Sequence, residues 1–193
     1  SPATMVNPDS VLDISQYLSR PLGGNATLTW EVPAGDWIVL RAALTPTGTQ
    51  NGPAPPDATG LEVDKMNRVP LKAHFDAFLG VLLKRMPAAD RRALKHVVAD
   101  SYEMGPQNWT DGFAQDFRKR YGYDPLPWLP VLAGRIVGNA DQSDRFLWDL
   151  RRLVADRVAR DYVGGLRDLC REHGLKMWLE NYGHWGFPGE FLQ

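Results

Sequence analysis

The run Lys95-His96-Val97-Val98-Ala99, followed at once by Asp100-Ser101-Tyr102-Glu103, constrains the fold more than any other stretch. A short apolar run that breaks into polar residues and a Gly105-Pro106 turn is the pattern of a strand buried on both faces as it emerges into solvent. Glu103 stands at that emergence. Strand alternation puts it on one face with Ser101, Ala99 and Val97, small residues suited to a narrow barrel interior. Two further stretches have the same form, Gly60-Leu61-Glu62-Val63-Asp64 and Leu175-Lys176-Met177-Trp178-Leu179-Glu180, and both end in carboxylates.

Helical periodicities separate these strands. Pro70 fits the first turn of a helix whose Leu71, Phe75, Phe78, Leu79, Leu82 and Leu83 recur at three and four residues and face a core. Thr110-Asp111 opens another over 110–120, with Phe113 and Phe117 four apart. Pro125, Pro127 and Pro130 interrupt the chain before the longest helix, 141–173. Its stripe is Leu147, Leu150, Val154, Val158, Tyr162, Leu166, Leu169 and Cys170, with Gly164-Gly165 at a bend and Gly174 at its end. Alternation of strands and helices predicts an α/β fold with parallel strands whose carboxyl ends share one side. In a (β/α)8 TIM barrel that side is the active face, where Glu62, Asp64, Glu103 and Glu180 would gather. Such a barrel needs about 250 residues, so 56–193 is expected to be its N-terminal part, with the remainder beyond Gln193.

Residues 1–55 lean to β structure. Ala26–Val32 alternates, Pro33-Ala34-Gly35 supplies a turn, and Asp36–Leu44 reads as a second strand, together a hairpin at the end of a β-sandwich-like module. The Pro- and Gly-rich loop 45–60 is the expected junction. Ser1-Pro2-Ala3-Thr4 has neither a basic nor an apolar leader region, so the chain is expected to start within a longer protein or after processing.

With 22 basic and 23 acidic residues the charges nearly cancel, which removes the electrostatic footprint of nucleic-acid binding. No apolar run approaches the roughly 20 residues that span a bilayer. Cys170, the sole cysteine, reads as a small core residue, leaving no intramolecular disulfide or thiolate metal site. No zinc-hydrolase, phosphate-loop or dinucleotide motif is present.

Carboxylates at strand ends beside aromatic and amide side chains suit a sugar site. Glycosidases use paired Asp or Glu residues, one protonated toward the leaving oxygen and one ionised. Trp109 and Trp185 offer flat apolar surface for a sugar face. Asn108, Gln107 and Asn181 offer amides for hydroxyls, Tyr102 and Tyr182 flank the glutamates, and His184 stands near the site. The plainer reading is that Glu103, Glu180 and Glu190 are solvated or ion-paired strand-end and loop residues. On that reading Trp30, Trp37, Trp148 and Trp178 pack in the sheet and core, His74 and His96 lie in the core or at its rim, and His173 caps a helix end.

The chain resembles the α-L-rhamnosidases of glycoside hydrolase family 106 from about Trp37 to Gln193. The resemblance lies in Thr45-Pro46-Thr47-Gly48 with Gly60–Lys65, Asp100-Ser101-Tyr102-Glu103 with Gln107-Asn108-Trp109-Thr110, the helix Arg145–Arg152, and Glu180-Asn181-Tyr182-Gly183. It implies a (β/α)8 catalytic domain with attached sandwich modules and inverting hydrolysis of terminal α-L-rhamnosides in oligosaccharides or glycosides. It also implies a calcium ion that assists sugar binding and export to periplasm or medium. Glu103 closes the family-like motif and is expected to be the general acid; Glu180 is expected to be the base, a calcium ligand or a hydroxyl-binding group. Glu62 and Asp64 are candidate calcium ligands. Family members are far longer, and a further catalytic carboxylate is expected beyond Gln193. The contrasting expectations are a barrel glycosidase for another sugar and a non-catalytic carbohydrate-binding or truncated barrel piece.

Overall fold

The computed structural model describes residues 7, 10–14, 29–100 and 107–180. In chain order the elements are β1 (Val11–Leu12), α1 (Arg68–Phe75), α2 (Val81–Arg85), α3 (Ala88–Arg91), β2 (His96–Ala99), α4 (Phe113–Tyr121), β3 (Ile136–Val137), α5 (Ala140–Arg157), α6 (Gly164–Glu172) and β4 (Lys176–Leu179). They divide into two units, one of 1–43 with 112–150 and one of 44–111 with 151–193.

In the second unit β2 and β4 pair in parallel, with Val97 opposite Met177 and Ala99 opposite Leu179, as the apolar runs predict. Helices cover one face of this pair. Leu71, Phe75 and Leu83 from α1 and α2 meet Leu169, Cys170 and Leu175, and Val97 and Met177 pack against that cluster. Cys170 is fully buried there. The Asn67 side chain caps α1 by accepting from Val69 N at 3.0 Å, and Pro70 falls in the first turn, where its missing N–H costs nothing. Gly165 lets α6 approach α1, since a Cβ there would lie 3.0 Å from Leu71 Cδ2. Gly174, at φ +69°, supplies the left-handed residue that ends α6.

The α1 stripe departs from its even spacing. A π-helical segment, Asp76–Gly80, links α1 to α2. A π turn takes up an extra residue and rotates the helix beyond it. Phe78 therefore lies 64% exposed and Leu82 42% exposed, while Leu83 stays buried. A second π segment, Val158–Val163, joins α5 to α6 just before Gly164-Gly165. It buries Asp161, which accepts from Arg160 Nε and Nη2 at 2.8 Å each and faces Arg68 at 3.5 Å.

The first unit packs around aromatic rings. Phe113, Phe117 and Phe146 are at most 1% exposed, and the Phe117 ring meets those of Tyr121, Tyr123 and Phe146. α4 starts at Gly112 in the left-handed region, not on a Thr110 cap. The Pro-rich stretch forms a 3-10 turn, Leu126–Ala133, and leads into β3, which pairs in parallel with β1. Ser143 Oγ accepts from Val137 N at 2.9 Å and donates to Val137 O at 3.0 Å, tying β3 to α5.

Some expected strands are not formed. Residues 29–49 carry no strand, and Ile38 and Val39 are about 70% exposed. Alternation becomes a strand only where a sheet face can pack, and the described residues offer this segment none. Residues 61–64 make only an antiparallel bridge, Gln50 to Leu61, closed by Asn51, whose side chain donates to Ala58 O and accepts from Gly60 N. The described residues form an α/β arrangement with parallel pairs, and a closed barrel is not formed among them.

Candidate active site

The carboxyl ends of β2 and β4 set the site. The ladder continues past the strands, with Glu180 N donating to Ala99 O at 3.0 Å. Val97 and Met177 face the helices, whereas Val98 and Trp178 are 64% and 53% exposed on the opposite face. Strand alternation then puts Asp100 and Glu180 side by side on the face of Val98 and Trp178. Adjacent strands lie about 4.8 Å apart. Val97 and Ala99 accordingly do not line a barrel interior, because the helical layer covers the odd-numbered side of β2. Among the described residues nothing covers the other face of β2, where Val98 is 64% exposed. Asp100, at the strand end, is the acidic residue that stands level with Glu180.

The same end of the unit carries Glu62, Lys65 and Tyr162. Lys65 Nζ is 2.6 Å from Glu62 Oε2 and 5.7 Å from the centre of the Tyr162 ring. Burial, followed by the charges of Glu62 and Asp100, raises the Tyr162 phenol above its ordinary pKa. Glu62 and Asp100, from separate segments, thus both lie near the Tyr162 phenol.

Asp64 is a fastener. Its Oδ1 accepts from Met66 N at 2.8 Å and from the Gln107 amide, and its Oδ2 accepts from Thr110 Oγ1. Gln107 Oε1 in turn accepts from Lys65 N at 3.4 Å. Thr110 is 2% exposed, so its hydroxyl depends on this partner. The clasp joins residues 64–66 to the segment after β2, and it commits the Gln107 amide to Asp64 rather than to a sugar hydroxyl. Asp64 is surrounded by donors, Glu62 is paired with Lys65, and the described residues contain no cluster of His, Cys, Asp and Glu able to hold a metal.

Asn108 is exposed and Trp109 half-buried just before the clasp residue Thr110. Glu103, Asn181, Tyr182, His184 and Trp185 lie outside the described residues, as do Tyr102 and Glu190. His74 and His96 are exposed. His173 ends α6 as expected and stacks on Phe75 at 5.4 Å. Trp30 and Trp37 meet edge to face at 5.0 Å in the extended segment, and Trp148 is 64% exposed, so neither Trp37 nor Trp148 packs in a core. Among the described residues no helix is long and apolar enough to cross a membrane.

A family model described as alpha-L-rhamnosidase matches residues 1–193. A protein of Formosa agariphila named beta-glucuronidase is 39% identical over 169 residues, covering 88% of this chain and 14% of that protein. The solved structure of a rhamnosidase from Novosphingobium sp. PP1Y is similar with a TM-score of 0.66 and 34% identity, over 82% of this chain and 16% of that one. The chain therefore spans only 14 to 16% of the length of these relatives.

Proposed function

The chain belongs to the alpha-L-rhamnosidase family of glycoside hydrolases, and from that premise we propose that it supplies part of the site at which a terminal α-L-rhamnoside is hydrolysed. The observation that carries the proposal is the placement of Asp100 beside Glu180 on the uncovered face at the carboxyl ends of parallel strands. That is where an α/β enzyme gathers its reacting groups.

In the proposed reaction Glu103, three residues past Asp100, gives its proton to the glycosidic oxygen as the bond from the anomeric carbon to that oxygen breaks. Positive charge then spreads over the anomeric carbon and the ring oxygen. Glu180, ionised, takes a proton from a water whose oxygen bonds to the anomeric carbon from the opposite side, so configuration inverts. Asp100 binds ring hydroxyls. The Asp64 clasp holds Gln107, Asn108 and Trp109 at the exit of β2, where an amide and an indole can meet a sugar. No step is assigned to calcium.

The name of the Formosa relative raises a β-glucuronide as the second reading. The ion pairing weighs against it, because Lys65 is already paired with Glu62 and offers a uronate no surplus cation. A panel of nitrophenyl glycosides offered to the full-length protein tests the choice. The expected result is turnover of the α-L-rhamnoside and little of the β-D-glucuronide; the reverse preference overturns the sugar assignment.

A further inference from the structure

The first unit holds a cleft of about 460 Å³ between the Pro-rich turn and α5, lined in part by Tyr123, Asp124, Trp128, Gln142, Arg145 and Asp149. Its volume falls within the range of small-molecule sites, about 300 to 1,000 Å³. Aromatic rings build its wall: Tyr123 meets Trp128 edge to face at 6.0 Å, and Trp128 stacks on Phe146 at 6.1 Å. Phe146 is 1% exposed, so the Trp128 ring is held by the core rather than free to swing. Polar groups are set around this wall. Tyr123 Oη donates to Asp149 Oδ2 at 2.9 Å. Asp124 accepts from Arg118 at 2.9 Å and from Leu126 N at 3.2 Å. Arg145 pairs with Asp141, both more than 70% exposed, an arrangement that water and salt readily compete away.

We propose that this cleft binds a neutral pyranose. A rigid indole and phenol provide the apolar surface that a sugar ring covers. A carboxylate, an amide and a guanidinium stand on the same wall as acceptors and donors for its hydroxyls. Charge selects within the saccharides: Asp124 is paired with Arg118 and Arg145 with Asp141, so the lining, which also carries Asp149, holds no surplus cation for a uronate. The proposal does not depend on the reaction proposed for β2 and β4.

The test uses the full chain, isotope-labelled and observed by NMR, with methyl α-L-rhamnopyranoside and methyl α-D-glucopyranoside as neutral probes and D-glucuronate as the charged one. At least one neutral probe should shift the Trp128 indole N–H saturably, with a Kd on the order of 1 mM. Arg145→Ala and Gln142→Ala alter exposed side chains, so both variants should fold. Each should weaken binding by about fivefold, the worth of one hydrogen bond. No saturable shift at Trp128, binding unchanged in both variants, or tighter binding of D-glucuronate would each overturn the proposal.

Discussion

Replacing Asp64 by alanine tests whether the clasp organises the exit of β2. The substitution removes the acceptor for Met66 N, Gln107 Nε2 and Thr110 Oγ1 together. The half-buried Gln107 amide can recover part of its bonding from water. Met66, fully buried, and Thr110, at 2% exposure, cannot. Hydrogen bonds to a charged acceptor contribute about 1.5 to 3 kcal/mol, and a stranded buried donor costs about 1 to 3 kcal/mol. A loss of about 3 kcal/mol is therefore expected, which for a chain of this size lowers Tm by about 6 to 12 °C. Circular dichroism melts measure it. The double variant with Thr110→Val should lose less than the sum of its singles, by about 1 kcal/mol, because the stranded hydroxyl is gone. A Tm shift below about 2 °C, or strictly additive losses, would refute the clasp.

The packing and the ionisable groups give further expected outcomes. Gly165→Ala gains helix propensity of about 1 kcal/mol, yet its Cβ meets Leu71 Cδ2 at 3.0 Å against a buried α1. A net destabilisation of about 1 kcal/mol by urea titration is expected, and a stabilised variant would show that α1 and α6 have room to part. Burial and the Asp149 hydrogen bond raise the Tyr123 phenol above its ordinary pKa. The folded chain thus keeps a proton that the unfolded chain releases near pH 10. That contribution is complete below about pH 10 and declines as pH rises toward the folded pKa. Tyr123→Phe should flatten this alkaline loss, and an unchanged alkaline profile would contradict it.

The elements legible in the sequence are those whose periodicity is long or whose exit is sharp. β2 and β4 announce themselves by apolar runs ending in acids, and the α5–α6 stripe by Leu150, Val154, Val158, Leu169 and Cys170, all buried. What periodicity could not carry was the π turn at Asp76–Gly80, which rotates Phe78 away from the core, and the two-residue strands β1 and β3, too short to show any period. Over the described part of the hairpin expected at 26–44, residues 29–44, no strand forms, because its alternation finds no face to cover among the described residues. Most instructive is the face of β2. Small side chains at Val97 and Ala99 suit a barrel interior and a close helix contact equally well, so alternation alone could not choose between them. The usable signal was Val98 aligned with Trp178, which would have directed attention to Asp100. The side chains of Glu103, Asn181, Tyr182, His184 and Trp185 lie outside the described residues, so their expected roles rest on the family motifs.

The central claim is that the acids ending β2 and β4 share one reacting pocket. Its most direct measurement is the turnover of an unactivated α-L-rhamnoside by the full-length protein carrying Glu180→Gln or Asp100→Asn, with melting curves run alongside. Glu180→Gln should lower kcat by at least about a thousandfold and Asp100→Asn by about a hundredfold at near-native Tm. Parent-like kcat in both folded variants would contradict the claim.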